Sequence, residues 1–517
     1  MKSLYATLVL LAASTAWADF RFRDVENKSI ALEENGVPVF VYNYGMMLKP
    51  GVREDRTRCC YLHPVYAPNG AILTDDFPSD HLHHRGLHWA WPVVTVDGKV
   101  YDEWTIKGMH ARFEKWNRKQ AGKNSAVLSV TNGWYVENRK VVQEDVEITV
   151  HPATAGKRDL EFVIKLLALA DDVTIRGTDE GGKGYGGFNI RFAPRAGMRI
   201  DTATLADSPD SDLKPNQWAE FTGIFSGKKA GARITIDGDP AGWCLRHYGF
   251  LGVDYPGLQA AKLDRKQPLT LKFRVSLLAG ESGPVKPAVL VYTRNYTKDG
   301  KGYVHDNIAD SVAAIKKMGE ENGFIVDSTN DPNYFTSAQL AQYKAIIFSN
   351  SNNEAFSNQS QRDAFQKYIR AGGGFVGIHS ASGSERTWPY FWEVLGGKFN
   401  YHPKLQPFTV RVVDSSHPST KGMPATFTWE DECYHIDHLS PNLHPLLVVD
   451  STRLVDPKQV KEPWPNAEAM PLSWYMTYDG GREFYCALGH KKEHYKDPLL
   501  YQHLLNGILW AIGPAKP

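Results

Sequence analysis

Residues 280–292 read GESGPVKPAVLVY, and the chain changes character across them. The first eight, 280–287, are rich in Gly and Pro and carry no apolar period, as a linker does. Ala288 to Tyr292 is a short apolar run of the kind a buried strand shows, and beyond it strand-like runs alternate with helical ones. Asp306 can cap a helix whose apolar face is Ile308, Val312, Ile315 and Met318 and which ends at Gly323. Phe324 to Val326, Ala345 to Phe348 and Phe375 to Ile378 read as further strands. A helix beginning near Ser357 stops before Gly372-Gly373-Gly374, and a last helix is bracketed by Asp497-Pro498 and Gly513-Pro514. This alternation predicts an α/β domain over 288–517 on an open parallel sheet, with its ligand crevice at the carboxyl ends of the strands.

Upstream, over 19–279, the pattern is short strands broken by Gly, Pro, Asn and Asp. Examples are Val142 to Val150, Leu160 to Leu166 and Leu269 to Leu278, most with alternating apolar and polar positions and no amphipathic helix between them. An antiparallel β-sandwich is the natural architecture, which makes the whole chain multidomain, β plus α/β. Residues 1–18 read as a signal peptide. Lys2 supplies the positive end, Leu4 to Ala13 the apolar stretch, and Ala16-Trp17-Ala18 the cleavage site, so a periplasmic or secreted protein starting near Asp19 is expected. That apolar stretch is too short to span a bilayer, and no later one approaches the roughly 20 residues a spanning helix needs, so no membrane span is expected.

Composition narrows the function classes. Apolar residues at 42% and charged residues at 23% are ordinary for a globular chain and set disordered and fibrous classes aside. Lys plus Arg total 59 against 58 for Asp plus Glu, so nothing favours a nucleic-acid partner. The five cysteines are an odd count for a disulfide framework, and buried or unpaired thiols with at most one bridge are expected. The first loop of the α/β half, RNYTKDGKGYVHD at 294–306, lacks the G-x-G-x-x-G pattern that close approach to a pyrophosphate requires, so no nucleotide cofactor is expected.

The crevice rule selects candidates by position. His305 follows the loop after the first strand, His379 sits directly after the strand Phe375 to Ile378, and His490 follows a strand at Glu483 to Ala487. Glu432 lies in WEDECYHID at 429–437, with Asp431 and Tyr434 beside it. Three imidazoles and a carboxylate at strand ends could bind a divalent metal, with His305, His379 and Glu432 as ligands, or could share proton transfer. In the β half the densest polar cluster is DHLHHRGLHWAW at 80–91. Its His84, Arg85, His88 and Trp89 would suit a sugar, with rings against the apolar face of a pyranose and cationic donors on its hydroxyls.

Two family resemblances follow from these motifs. AVLVYTRNY, GYVHDNI, GGGFVGIHSAS, LGGKFNYHP, HPSTKGMP, DECYHID and GREFYCALGH, in order over most of 287–513, resemble the ThuA-like family, named for trehalose utilisation. The resemblance implies a flavodoxin/amidotransferase-like sheet. A working amidotransferase, however, carries a Cys nucleophile at the elbow where this chain has His379-Ser380, so glutaminase chemistry is not expected. What the resemblance does imply is carbohydrate metabolism, on glycosides already oxidised to a ketone at sugar carbon 3 by a separate sugar 3-dehydrogenase. A base would remove the C2 proton, the C1 substituent would leave by β-elimination, and hydration would complete a net hydrolysis. His305, His379 and His490 would surround the electrophilic centre, with Glu432 as ligand or base, and Asp431, Tyr434 and Trp474 as supporting or substrate contacts. KGYGGFNIRFAP at 183–194 and WCLRHYGFLGVDYPG at 243–257, with the histidine cluster, resemble the PmoA-like family over about 35–278, in the style of galactose-mutarotase-like β-supersandwiches. A mutarotase pairs a His acid with a carboxylate base. His84 or His88 could be the acid, but only Asp254 offers itself as base. Two alternatives stay open: the β half as the catalyst, by glycoside cleavage or epimerisation, and a non-catalytic glycan-binding protein.

Overall fold

The computed structural model describes residues 19–281, 283–300, 302–450, 454–458 and 470–513. The signal-peptide expectation for 1–18, the stop at Pro514 and residue 282 of the linker lie outside them. Two compact units make up the chain. One runs through Ala193, with Arg199–Thr222 and Lys229–Glu281; the other holds Pro194–Met198, Gly223–Lys228 and the chain from Ser282 onward.

The first unit is built on two eight-stranded sheets and a four-stranded one. Its long strands follow the rule that alternation buries one face. In Arg139–Val150 the residues Val142, Val146, Ile148 and Val150 are buried, and in Lys157–Ala168 so are Leu160, Phe162, Ile164 and Leu166. The two strands pair antiparallel with Val146 opposite Ile164 and Ile148 opposite Phe162, so the apolar sets share a face. Rings of the two large sheets meet in the core, where Trp89 and Phe188 of one contact Phe162 of the other and Phe188 stacks on Phe273. Each such ring, fully buried, contributes about 1.5–3 kcal/mol. All five cysteines are buried and free, and the adjacent Cys59 and Cys60 sulfurs lie 3.2 Å apart without a bridge.

The second unit corrects the expectation of an open parallel sheet: its nine-stranded sheet is mixed. Ile325–Thr329, Ala288–Tyr292, Ala345–Ser349, Gly374–Ile378 and Gly481–Cys486 lie side by side in that order and all run parallel. From Gly481–Cys486 the sheet continues antiparallel through Met470–Tyr478, His444–Val449, Gln406–Val412 and Thr426–Asp431. The sequence signals differ accordingly. Ala288–Tyr292, Ala345–Ser349 and Gly374–Ile378 are buried along their whole length, whereas Gln406–Val412 and Thr426–Asp431 alternate, as strands do with one face in water.

The helix Ile308–Asn322 ends at Gly323 in the left-handed region (φ 77°). Its cap is not Asp306, which instead pairs with Lys492 at 2.8 Å; Asn307 holds the cap position and sends its side chain elsewhere. Gln359–Arg370 is capped by Asn358, whose side-chain oxygen accepts the Gln361 N–H, and Pro498–Ile512 by Asp497, which accepts from Leu499 and Leu500. No helix among the described residues is long and apolar enough to cross a membrane.

Candidate active site

The strand Gly374–Ile378 ends in a sharp elbow. His379, a non-Gly residue at φ 51°, opens the tight turn His379–Gly383 in a conformation that costs about 1–3 kcal/mol. Its surroundings hold it there. The Tyr485 hydroxyl donates to the His379 carbonyl at 2.8 Å, and the His379 Nδ1–H donates to the Ala487 carbonyl at 2.7 Å. Because a carbonyl can only accept, the neutral imidazole must carry its lone pair on Nε2.

Around that lone pair three more groups converge. The ligand atoms of His305, His379, Glu432 and His490 all lie within 4.8 Å of one another. His305 Nε2 is 3.1 Å from His379 Nε2, and Glu432 Oε2 is 3.2 Å from His490 Nδ1, 3.6 Å from His379 Nε2 and 3.9 Å from His305 Nε2. His490 Nδ1 is not aligned for a hydrogen bond in spite of its short distance. Four ligand atoms thus share one small volume. Tetrahedral donors on metal bonds of 2.0–2.1 Å stand about 3.3 Å apart, close to the separations found. The set of three imidazoles and one carboxylate could hold a divalent cation, and it suits the borderline metals that take nitrogen and oxygen together.

The electrostatics agree with the geometry. Burial alone would raise the Glu432 carboxyl, but the three imidazoles overrule it and hold the group far below the usual carboxylate range. Burial lowers His305, with His379 and His490 adding to the effect and Glu432 opposing it. His490, hydrogen-bonding distance from Glu432, is pushed up by that carboxylate.

Two buried polar residues fix the loops that carry these groups. Asp431 is fully buried, and its carboxylate accepts the N–H groups of Glu432 at 2.8 Å and Gly489 at 2.8 Å and the indole N–H of Trp429 at 3.0 Å. It therefore ties the end of Thr426–Asp431 to the loop that bears His490. Asn307 does the same from the other side, its amide donating to the carbonyls of Gly489 and His490, both at 2.7 Å. Here is the reason that Asn307 makes no side-chain cap.

A cavity of about 310 Å³ opens on the cluster, with Tyr303, Arg386, Phe399 and Tyr434 on its walls. The Tyr434 ring stacks on His379 and its hydroxyl is 2.9 Å from His379 Nε2. His402, which positional reasoning missed, also lines this cavity. Its Nδ1–H donates to the Pro403 carbonyl at 2.8 Å, which leaves Nε2 with a lone pair 3.5 Å from Glu432 Oε1. It sits in the loop after Lys398–Tyr401, outside the parallel strands, so the strand-end rule could not reach it; the motif LGGKFNYHP was the available signal.

Other expected contacts lie elsewhere. Trp474 is fully buried, its indole N–H donating to the Leu395 carbonyl and its ring packed on Tyr485, so it is a core residue. In the first unit Arg85 is fully buried and donates to the carbonyls of Leu82, His84 and Arg56, while Trp89 stacks on Phe188 inside the sandwich. His88 is buried as well. His84 lines a cavity of about 300 Å³ that it shares with His81 and His83. Asp254 is buried and its carboxyl is pushed up by burial.

Comparison with known proteins adds to this geometry. Residues 288–511 match the ThuA family, described as trehalose utilisation, and residues 29–290 match a family of unknown function, DUF6807. No curated protein matches. Among solved structures the chain is similar to a ThuA-like protein from Bacteroides uniformis, at 25% identity over 45% of this chain and 94% of that one, with a TM-score of 0.35. A ThuA-like protein from Parabacteroides merdae is similar at 19% identity over 44% and 90%, TM-score 0.35. The β-galactosidase of Rahnella sp. R3 is similar at 16% identity over 45% and 32%, TM-score 0.30.

Proposed function

We propose, from the premise that the chain belongs to the DUF6807 family and carries a ThuA domain behind it, that it is an exported carbohydrate-active enzyme cleaving glycosides at the His305–His379–Glu432–His490 centre. The substrates fitting this centre are 3-keto-glycosides. A single observation carries the reading: the four groups meet within 4.8 Å at a cavity of about 310 Å³ with aromatic walls, a size suited to a small ligand.

The chemistry follows from what each group offers. A ketone at C3 acidifies the C2 proton, so a base of ordinary strength suffices. His402 Nε2, with its lone pair free and its opposite N–H fixed on Pro403, takes that proton. The C2–H electron pair becomes the enolate double bond, then forms C1=C2 as the C1–O bond breaks, and the departing oxygen takes the proton that His402 accepted. Addition of water across C1=C2 returns a proton to C2 and a hydroxyl to C1. A divalent cation held by the three imidazoles and Glu432 would supply a Lewis acid for the C3 oxygen. Tyr434 and Phe399 bound the ring, and Arg386 offers donors to its hydroxyls. Such a substrate must come from an enzyme of another class, one that oxidises a sugar secondary alcohol.

The test is an NMR time course of a methyl 3-keto-glucoside and of its unoxidised parent, each with the full chain, with and without chelator. Release of methanol from the keto sugar alone, lost with chelator, is the expected result. Turnover of neither substrate by metal-loaded protein overturns the reading.

A further inference from the structure

Cys59 and Cys60 are neighbours in the chain, and their sulfurs lie 3.2 Å apart. Consecutive side chains of an extended segment point to opposite faces, so two adjacent cysteines do not ordinarily meet. Here the backbone turns to bring them together. Cys60 stands at φ 64°, in the left-handed region that a residue with a Cβ rarely adopts, between Arg58, which bridges to Met47, and the strand Tyr61–Val65. The bend is held on both sides. The Cys60 N–H donates to the Asn43 carbonyl at 2.7 Å, and Met47 and Arg58 exchange backbone hydrogen bonds of 2.9 and 3.2 Å.

Nothing in the chemistry proposed for the ThuA domain uses this pair, and it differs from the other cysteines. Cys244, Cys433 and Cys486 have no second cysteine sulfur within hydrogen-bonding reach among the described residues, and burial raises all three thiols. Cys59 behaves otherwise. The Cys60 S–H beside it draws its thiol down, burial opposes, and the Phe113 N–H adds to the lowering. Cys60 itself is raised, first by burial. One sulfur is thus the better nucleophile, and its neighbour is a thiol in place to resolve it. Both are buried, at 1% and 6% exposure, so a bulky disulfide is shut out and the oxidant must be small.

We infer that Cys59 and Cys60 are a peroxide-reactive dithiol that closes to a disulfide between neighbours. The Cys59 thiolate attacks one peroxide oxygen, the O–O bond breaks, and the second oxygen leaves with a proton as water. The Cys60 sulfur then displaces the hydroxyl from the Cys59 sulfenic acid, which departs as a second water with the proton that Cys60 gives up. Two thiols lose two electrons and the peroxide gains them; one S–S bond and two waters are the products. Adjacent Cα atoms are about 3.8 Å apart, short of the roughly 4.4–6.8 Å usual for a bridge, so the ring is strained and a dithiol reopens it.

Treatment of the folded full chain with hydrogen peroxide, with a chelator present to exclude metal-driven oxidation, tests this. After unfolding and alkylation the thiol count is expected to fall from five to three, and dithiothreitol should restore all five. The peptide holding Cys59 and Cys60 should be lighter than its reduced form by two hydrogens. Cys59→Ser should slow the reaction of the remaining Cys60 thiol tenfold or more, whereas Cys60→Ser should react at Cys59 and stop at a sulfenic acid that dimedone traps. The wild-type mass needs no variant, so the test stands if either variant fails to fold. Five thiols surviving peroxide, oxygen added to wild-type Cys59 without ring closure, or first reaction at Cys244, Cys433 or Cys486 overturns the inference.

Discussion

The Nε2 atoms of His305 and His379 face each other at 3.1 Å, and the His379 nitrogen is committed to being an acceptor by the bond its Nδ1–H makes to Ala487. Two nitrogen lone pairs at that distance repel unless a proton or a cation lies between them, and Glu432 adds a charge that attracts either. Incubation with a divalent metal followed by desalting should leave one ion per chain by elemental analysis. His305→Ala and His379→Ala should each lose it, and protein that retains no metal under any loading condition would remove the metal from the reading.

Asp431 contributes no ligand atom, yet it accepts from the backbone of both Glu432 and Gly489 inside the fold. Burial would raise its carboxyl, but His494, His379 and the Gly489 N–H hold it below the usual range, so it is a charged anchor. Asp431→Asn should weaken metal binding about 10–100-fold, as loss of an orienting partner does. Asp431→Ala, which leaves buried donors unpaired, should destabilise the domain by about 3–5 kcal/mol in denaturant titration. Metal affinity unchanged in the Asn variant would make Asp431 a purely structural residue.

Acid lability should have a traceable source in the first unit. His63 is lowered from 6.5 to about 4, first by burial and then by Arg85 and Lys49. Thr74 Oγ1 accepts the Val65 N–H and lies 3.0 Å from His63 Nδ1, within hydrogen-bond reach of the buried ring. Between pH 6.5 and 4 the unfolded chain binds a proton here that the folded chain does not. The contribution is therefore complete above 6.5 and lost as the pH falls toward 4, about 3 kcal/mol in all. His63→Gln should flatten the stability profile over that window, and an unaltered profile would assign the lability to other groups.

Much of this was legible in the sequence for stated reasons. The fully apolar strands and the cap at Asp497 are local signals, and local signals survive folding. His305, His379 and His490 follow parallel strands or their loops, which the crevice rule turns into proximity, whereas Glu432 follows the antiparallel edge strand Thr426–Asp431 and was singled out by the motif WEDECYHID. What failed was long-range. The antiparallel extension of the sheet rests on pairings between strands far apart in the chain, such as Arg411 with Val448, that no periodicity announces. Arg85 and Trp89 were expected at a sugar site because their chemistry suits sugars, but the Arg85 guanidinium donates to three carbonyls inside the fold and the Trp89 indole stacks on Phe188. Gly373 and Gly374 read as a helix stop, yet a Cβ there would stand 2.3 Å from the Tyr368 ring and from the Ala511 carbonyl, so close packing also demands them.

His402 gives the sharpest test of how the ThuA-like centre would work. His305, His379 and His490 crowd Glu432 Oε2, where they serve one another or a cation; His402 approaches Oε1, and its side chain is 35% exposed, which leaves room for a substrate to reach Nε2. If it removes the C2 proton, His402→Ala should lower kcat on a 3-keto-glycoside about 10²–10⁴-fold, the range of a lost general base. Metal content and melting temperature should stay at wild-type values, since His402 sits outside the ligand set, and KM should change little. A rise in KM with kcat preserved would make His402 a binding residue. Loss of the metal together with kcat would instead place it among the ligands, and proton abstraction would then fall to another group facing the cavity.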